Sequence, residues 1–390
     1  MPTDLPVKVR DLRLDFFRGA ALLIIFIAHF RGGWLWDFIP ARFGLSDAAD
    51  LFVFCSGYAA ALAFGETFVR RGFWLGAARV ALRCWQLYLA QIALFVAAVA
   101  LCVGVTGVGP GSYLHVLGLE TFVTDAPTAI LGLTILRYVP NYFDILPLYI
   151  AVLAMVPVSM LLARISPSLV IAASISLYAL AWTAGLNFPG EPLSDKGWYF
   201  NPLCWQLIFF TGFSISRGWL TAPLRSKAVT VVSIAFVCLS FITSRPSLVA
   251  GSPAIRAIEE FFRLHSNKTN LDLWQYAHFL ATAQLAIVLL KGRESILASP
   301  WCRPIVKCGQ QALSVFLCGM LLSHLCSMLL MRTGDGWGIQ LILNAGAATI
   351  LLGTAHSVAW FKTKPWSAKA GPTRVTPKLS EAASIEAPAA

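Results

Sequence analysis

Ten stretches of this sequence are apolar for long enough to act as membrane helices, and no other feature narrows the possible folds as far. They fall at residues 15–33, 48–66, 81–104, 143–163, 167–184, 201–216, 227–243, 275–291, 310–331 and 338–361. A run of ~20 apolar residues, rising ~1.5 Å each, matches the ~30 Å thickness of a bilayer core. Several runs here are a little shorter. With 57% hydrophobic and 13% charged residues over 390 positions, the chain is far more apolar than a soluble domain. The expected fold is all-α, a polytopic integral membrane helical bundle of about ten transmembrane helices. It forms one domain over residues 1–362. The Ala, Ser, Glu and Pro-rich remainder at 363–390 cannot bury a core and is expected to be a disordered cytoplasmic tail.

Charge placement orients the bundle. The net charge of +11 is spread by membrane side and not gathered on a soluble module, so a nucleic-acid partner is not expected. With the N-terminus inside, nine basic residues fall in outer loops (Arg31, Arg42, Arg137, Lys196, Arg245, Arg256, Arg263, Lys268 and Arg332) and the other twenty-one of thirty fall inside. Among the inner ones are Lys8, Arg10, Arg13, Arg70, Arg71, Arg79, Arg83 and Arg225. The positive-inside rule then makes both termini cytoplasmic. No small-residue cleavage site follows the first apolar run, so it is expected to be retained. Trp34, Trp36, Trp198, Trp274 and Trp337 fall at outer edges and Trp74, Trp219, Trp301 and Trp360 at inner ones, as interfacial anchors do. The nine cysteines match no zinc spacing, and no metal or permanently bound cofactor is expected. No internal repeat is visible, which disfavours a carrier built from two related halves.

The first apolar run starts with Arg18 and ends in His29, separated by ten residues without a polar side chain. Eleven steps at ~1.5 Å place the guanidinium near one face and the imidazole ~16 Å away, near mid-depth. Ionisable groups at that depth are costly and usually face a wet cavity, so His29 is a functional-site candidate; the alternative is a histidine that only stabilises helix packing. Just before it, Arg13, Asp15 and Arg18 cluster at the cytoplasmic entrance. Asp15 and Arg18 are three apart on one helical face and can pair, and an arginine there can hold a phosphate by two hydrogen bonds.

Two further groups accompany the histidine. Asp50 opens the second helix near the outer face, in Asp50-Leu-Phe-Val-Phe-Cys-Ser-Gly-Tyr58. It can orient His29 or simply cap its own helix. Ser56-Gly57 is expected to permit close helix approach. Asn141, Tyr142 and Asp144 gather an amide, a phenol and a carboxylate at the outer start of the fourth helix, groups suited to carbohydrate hydroxyls, and Asp144 is equally placed as a cap before Pro147. His278 and His324 lie within spans, and each alone reads as structural. Two long outer loops look structured. In 106–142 a helix start is expected at Asp125-Ala-Pro127. In 244–274 Ile255, Ile258 and Phe262 share a helical face, with Arg256–Glu260 and Glu259–Arg263 as possible pairs.

Leu14-Asp15, Arg18, Gly19 and His29 in the first helix, followed by the Asp50–Tyr58 segment, resemble the integral-membrane acyltransferases that O-acylate sugars, acyltransferase family three. Asn141-Tyr-Phe-Asp-Ile-Leu-Pro-Leu-Tyr149 resembles, within that group, the osmoregulated periplasmic glucan succinyltransferases, the OpgC family. The resemblance implies a ten-helix acyltransferase of a Gram-negative inner membrane, moving succinyl from cytoplasmic succinyl-CoA to hydroxyls of a periplasmic glucan. It implies that Arg18 and His29 are essential.

On that basis Arg18, Asp15 and Arg13 are expected to hold the donor. His29, with Asp50 and Asp144, is expected to carry the chemistry, as general base or by first accepting the acyl group. Asn141, Tyr142 and Tyr58 are expected to bind the acceptor. Two alternatives remain: an O-acetyltransferase of a cell-surface polysaccharide, and a proton-coupled transporter or flippase using His29, Asp50 and Asp144 as a relay. The residues do not choose between succinyl and acetyl, name the acceptor hydroxyl, or set the oligomeric state.

Overall fold

The computed structural model describes residues 11–108, 111–224 and 226–367. Lys8, Arg10, Arg225 and nearly all of the expected tail lie outside the described residues. Among the described residues the fold is all-α, with 77% helix. The one extended pairing among the described residues is a single antiparallel bridge between Pro189 and Gly197.

A helix stands at each of the ten expected positions. In chain order they are α1 (Leu12–His29), α2 (Ala48–Ala60, carried through a π-turn at Ala61–Gly65 to Arg70), α3 (Phe73–Thr106), α4 (Ile145–Ile165), α5 (Pro167–Thr183), α6 (Pro202–Ser216) and α7 (Lys227–Thr243). After α8 (Pro253–His265) come α9 (Leu273–Leu290), the short α10 (Arg303–Gln310), α11 (Ala312–Thr333) and α12 (Trp337–Lys362). Six of them, α2, α3, α4, α9, α11 and α12, are long and apolar enough to cross a membrane. The apolar α5, α6 and α7 are shorter. Among its 18 residues α1 carries Arg13, Asp15 and Arg18, which sets it apart from those six.

The largest departure from expectation is at the end of α1. It stops at His29 and does not continue to residue 33. The Phe30 N–H turns back onto the carbonyls of Phe26 and Ile27, and Gly32 takes a φ of +80°, which reverses the chain. Short 3-10 turns at Trp34–Phe38 and Pro40–Arg42 follow. The imidazole therefore closes the helix and is not embedded in its interior. At the other end, the Asp11 carboxylate caps α1 by accepting the Arg13 N–H at 2.9 Å.

Close backbone contacts hold the bundle together. Helix α6 is buried on all sides from Cys204 to Ser214, as a helix apolar around its whole circumference must be. It crosses α2 where Gly57 and Gly212 meet; a Cβ on Gly57 would lie 1.9 Å from the Phe209 carbonyl oxygen, and one on Gly212 2.3 Å from that of Phe54. Helix α1 meets α10 in the same manner. A Cβ on Gly19 would lie 1.9 Å from the Ile305 oxygen, and one on Gly309 1.8 Å from the Asp15 oxygen. Small residues at such crossings let helices approach until dispersion contacts replace the hydrophobic drive that lipid cannot supply.

The loops at the His29 end are structured, as expected. Asp125 caps the helix Ala126–Thr134 by accepting the Thr128 N–H at 3.2 Å. Helix α8 buries Phe262 against Phe236 and Trp274. Its ion pairs differ in part: Arg263 reaches Glu259 at 3.8 Å and Glu260 at 3.5 Å, while Arg256 donates to the Ala250 carbonyl. Trp198 is not an exposed anchor. It is buried, with its indole N–H donating to the carbonyls of Leu136 and Pro189.

Candidate functional site

Where α1 ends, a cavity of about 450 Å³ opens among the loops, within the ~300–1,000 Å³ range of small-molecule sites. Its wall includes His29, Asn141, Tyr142 and Asp144, so four of the candidate residues, from two distant parts of the chain, come together. Sequence spacing gave no sign of several others: Trp36, Arg42, Asp47, Tyr199 and Lys268 also line it.

One hydrogen bond defines the chemistry of His29. Its Nδ1 lies 2.7 Å from the Ile25 carbonyl oxygen, one turn back in the same helix. A carbonyl only accepts, so Nδ1 carries the proton and the neutral ring presents Nε2 as a bare acceptor. No hydrogen bond to Nε2 is present among the described residues. The ring also terminates a helix, where the exposed carbonyls favour the positive charge that a base acquires when it takes a proton. The orienting partner of His29 is thus the Ile25 backbone and not Asp50.

Asp50 is fully buried and occupied elsewhere. One oxygen accepts the Asp47 N–H at 2.8 Å, completing a capping box, and the other accepts from the Gln275 side chain at 2.9 Å. It tethers α2 to α9, and no hydrogen bond joins it to His29. At this helix start it is Asp47, three residues earlier, that lines the cavity. Asp47 caps α2 through the Ala49 N–H and pairs with the Lys268 ammonium, 221 residues along the chain. Burial by itself would lower the affinity of that ammonium for its proton; the Asp47 carboxylate outweighs it and holds Lys268 above its ordinary value, so the cation persists at neutral pH.

Tyr142 is the most strained residue of the site. Its φ of +72° lies in the left-handed region that bulky side chains avoid. This conformation aims the ring between two imidazoles, edge to face with His29 at 5.2 Å and with His324 at 5.5 Å between centroids. Strain of this kind costs ~1–3 kcal/mol and collects where geometry serves a task. Beside it, the Asn141 side-chain oxygen Oδ1 accepts from the Lys196 ammonium at 3.2 Å. Asp144 makes no capping bond to α4, which leaves its carboxyl on the cavity wall. His324, which in sequence reads as a structural histidine, is 1% exposed beneath Tyr142 with neither ring nitrogen hydrogen-bonded.

The remaining candidates gather at the opposite end of α1. Arg13 is exposed and holds Asp11 through two hydrogen bonds of 3.1 and 3.0 Å. Asp15 is buried and accepts from Gln310 at 3.3 Å. Arg18 lies near Cys55 of α2, with its Nε buried and unpaired. Tyr58 belongs here too, close enough to Arg13 to interact electrostatically. It is therefore separated from Asn141 and Tyr142, with which it was expected to share a ligand. Among the described residues no group of three His, Cys, Asp or Glu side chains could hold a metal ion.

An all-helical bundle with six helices able to cross a membrane, and a half-buried histidine on the wall of an internal cavity, defines a membrane protein with a protein-lined site. The chain belongs to the OpgC protein family, whose model matches residues 10–363. Membership implies a transferase with a role in glucan modification. Comparison with curated proteins found no match.

Proposed function

We propose that this protein transfers a succinyl group from cytoplasmic succinyl-CoA to hydroxyls of a periplasmic glucan, across an inner membrane that it spans ten times with both termini cytoplasmic. The observation that carries this reading is the His29 ring, fixed by Ile25 with Nε2 bare at the cavity edge. A glucan hydroxyl entering that cavity gives its proton to Nε2 while its oxygen attacks the thioester carbonyl carbon. The carbon–sulfur bond breaks, an ester forms, and the departing CoA thiolate takes the proton from the imidazolium. If the acyl group rests first on Nε2, the same atom serves as nucleophile, and acylated His29 is the trapped species. Asn141 and Asp144 supply hydrogen-bonding groups for sugar hydroxyls on the same wall.

The donor enters from the Arg13 end. Arg18 has an unpaired guanidinium nitrogen there, while Arg13 is already engaged by Asp11, so Arg18 is the better phosphate ligand of the two. From Arg18 to His29 the acyl-bearing arm has to reach ~16 Å along α1.

Periplasmic glucan from a strain lacking this gene separates the acyl groups. Loss of an anionic substituent supports succinyl transfer, loss of an uncharged one identifies an acetyltransferase, and unchanged glucan contradicts both. Tyr142 offers a second test. Tyr142→Gly relieves the left-handed strain while removing the ring beside His29, so Tm is expected to change little. The transfer rate should fall ~10²-fold through lost positioning. A parallel loss of Tm would show that Tyr142 is structural only.

A further inference from the structure

A second cavity, of about 630 Å³, lies beside the first, and Ala41 and Arg42 line both. Its far side is formed by the amphipathic helix α8 and the turn after α7, through Ser244, Arg245, Glu259 and Arg263, with Asp37 on the near side. The two adjoin at Ala41 and Arg42, which puts the second next to the cavity that His29 lines. Each alone has the volume of a small-molecule site, so the pair has room for several linked rings.

The second cavity's chemistry is specific. Its charges are of both signs, Arg42, Arg245 and Arg263 against Asp37 and Glu259. A site for an anionic headgroup would concentrate one sign. Neutral hydroxyls, each both donor and acceptor, are served by donors and acceptors side by side. The guanidiniums are also held in place before anything binds. Arg42 lies 4.0 Å above the Trp36 ring, and Arg245 lies 4.2 Å from the Phe43 ring and 4.8 Å from that of Phe241. Arg263 is held by Glu259 and Glu260. Ordering these side chains beforehand lowers the entropy lost on binding. Trp36, on the wall of the first cavity, adds an aromatic surface for the apolar face of a sugar ring.

We infer that this second cavity is an acceptor subsite that binds glucan units beyond the one acylated at His29, so that the protein recognises a chain and not a single sugar. The inference extends the glucan-acylation reading above, and its test measures binding apart from catalysis. Purified protein is titrated, without donor, with linear glucose oligomers from disaccharide to octasaccharide, by calorimetry. Affinity should rise with length until both cavities are filled and then level off. Arg245→Ala and Glu259→Ala should each weaken binding of the longer oligomers about 5–10-fold, as the loss of one hydrogen-bonding group does, and leave the disaccharide unaffected. The two variants lie on different elements, the turn after α7 and helix α8, which guards against a folding defect in either. Affinity independent of length, equal weakening for short and long oligomers, or displacement of the octasaccharide by a short-chain phospholipid overturns the subsite. Length-dependent binding without acylation under any donor upholds the subsite and rejects the transfer reaction.

Discussion

His29→Gln is expected to lower acyl transfer ~10²–10⁴-fold, the usual contribution of a positioned general base. Glutamine suits this test because its amide can still donate to the Ile25 carbonyl, so the end of α1 keeps its hydrogen bond while losing the basic nitrogen. Oligosaccharide binding and Tm should therefore change little. Loss of turnover with retained binding places the effect in the transition state. Lys268→Met serves as a contrast: it leaves Asp47 without its ion-pair partner at the cavity wall, so it should disturb stability and acceptor binding together. A His29→Gln protein with near wild-type turnover would remove the imidazole from the chemistry.

The second large effect concerns the helix crossings. Gly57→Leu and Gly309→Leu are each expected to prevent folding or to lower Tm sharply. The groups they would strike are the backbone carbonyls of Phe209 and Asp15, at 1.9 and 1.8 Å from even a Cβ, and backbone cannot step aside as a flexible side chain can. Overpacking costs ~1–3 kcal/mol where side chains can rearrange, and these positions lie at or beyond the upper end. Gly346→Leu and Gly353→Leu on α12 are the controls, since nothing stands within 4 Å of a Cβ at either. Size-exclusion profiles and thermal unfolding in detergent report the difference. Equal behaviour at all four positions would contradict the close crossings.

The helical plan was legible because hydrophobic length and charge punctuation act locally along the chain. All ten expected segments are helical, and Ser56-Gly57 does permit close packing as expected. The end of α1 was not legible: Phe30 continues the apolar pattern, and only the turn at Gly32 shows that the helix has stopped. His29, Asn141, Tyr142 and Asp144 stood out in the sequence because polar groups at apolar boundaries need a reason, and all four line the cavity. Asp47 and Lys268 escaped because an ion pair across 221 residues leaves no spacing to read. Asp50 shows the converse difficulty. A carboxylate at a helix start is compatible with a cap or a site, and its bonds to the Asp47 N–H and to Gln275 put it with the caps. Tyr58 shares a short motif with Asp50, but some eight residues of helix, ~12 Å, carry it to the other end of the bundle.

The most direct measurement is the mass and charge of glucan after incubation with purified protein and isotopically labelled succinyl-CoA. Wild-type protein should yield glucan carrying the labelled succinyl group and its negative charge, and His29→Gln none above background. Unmodified glucan from folded wild-type protein, or equal product from the two proteins, would contradict succinyl transfer at His29.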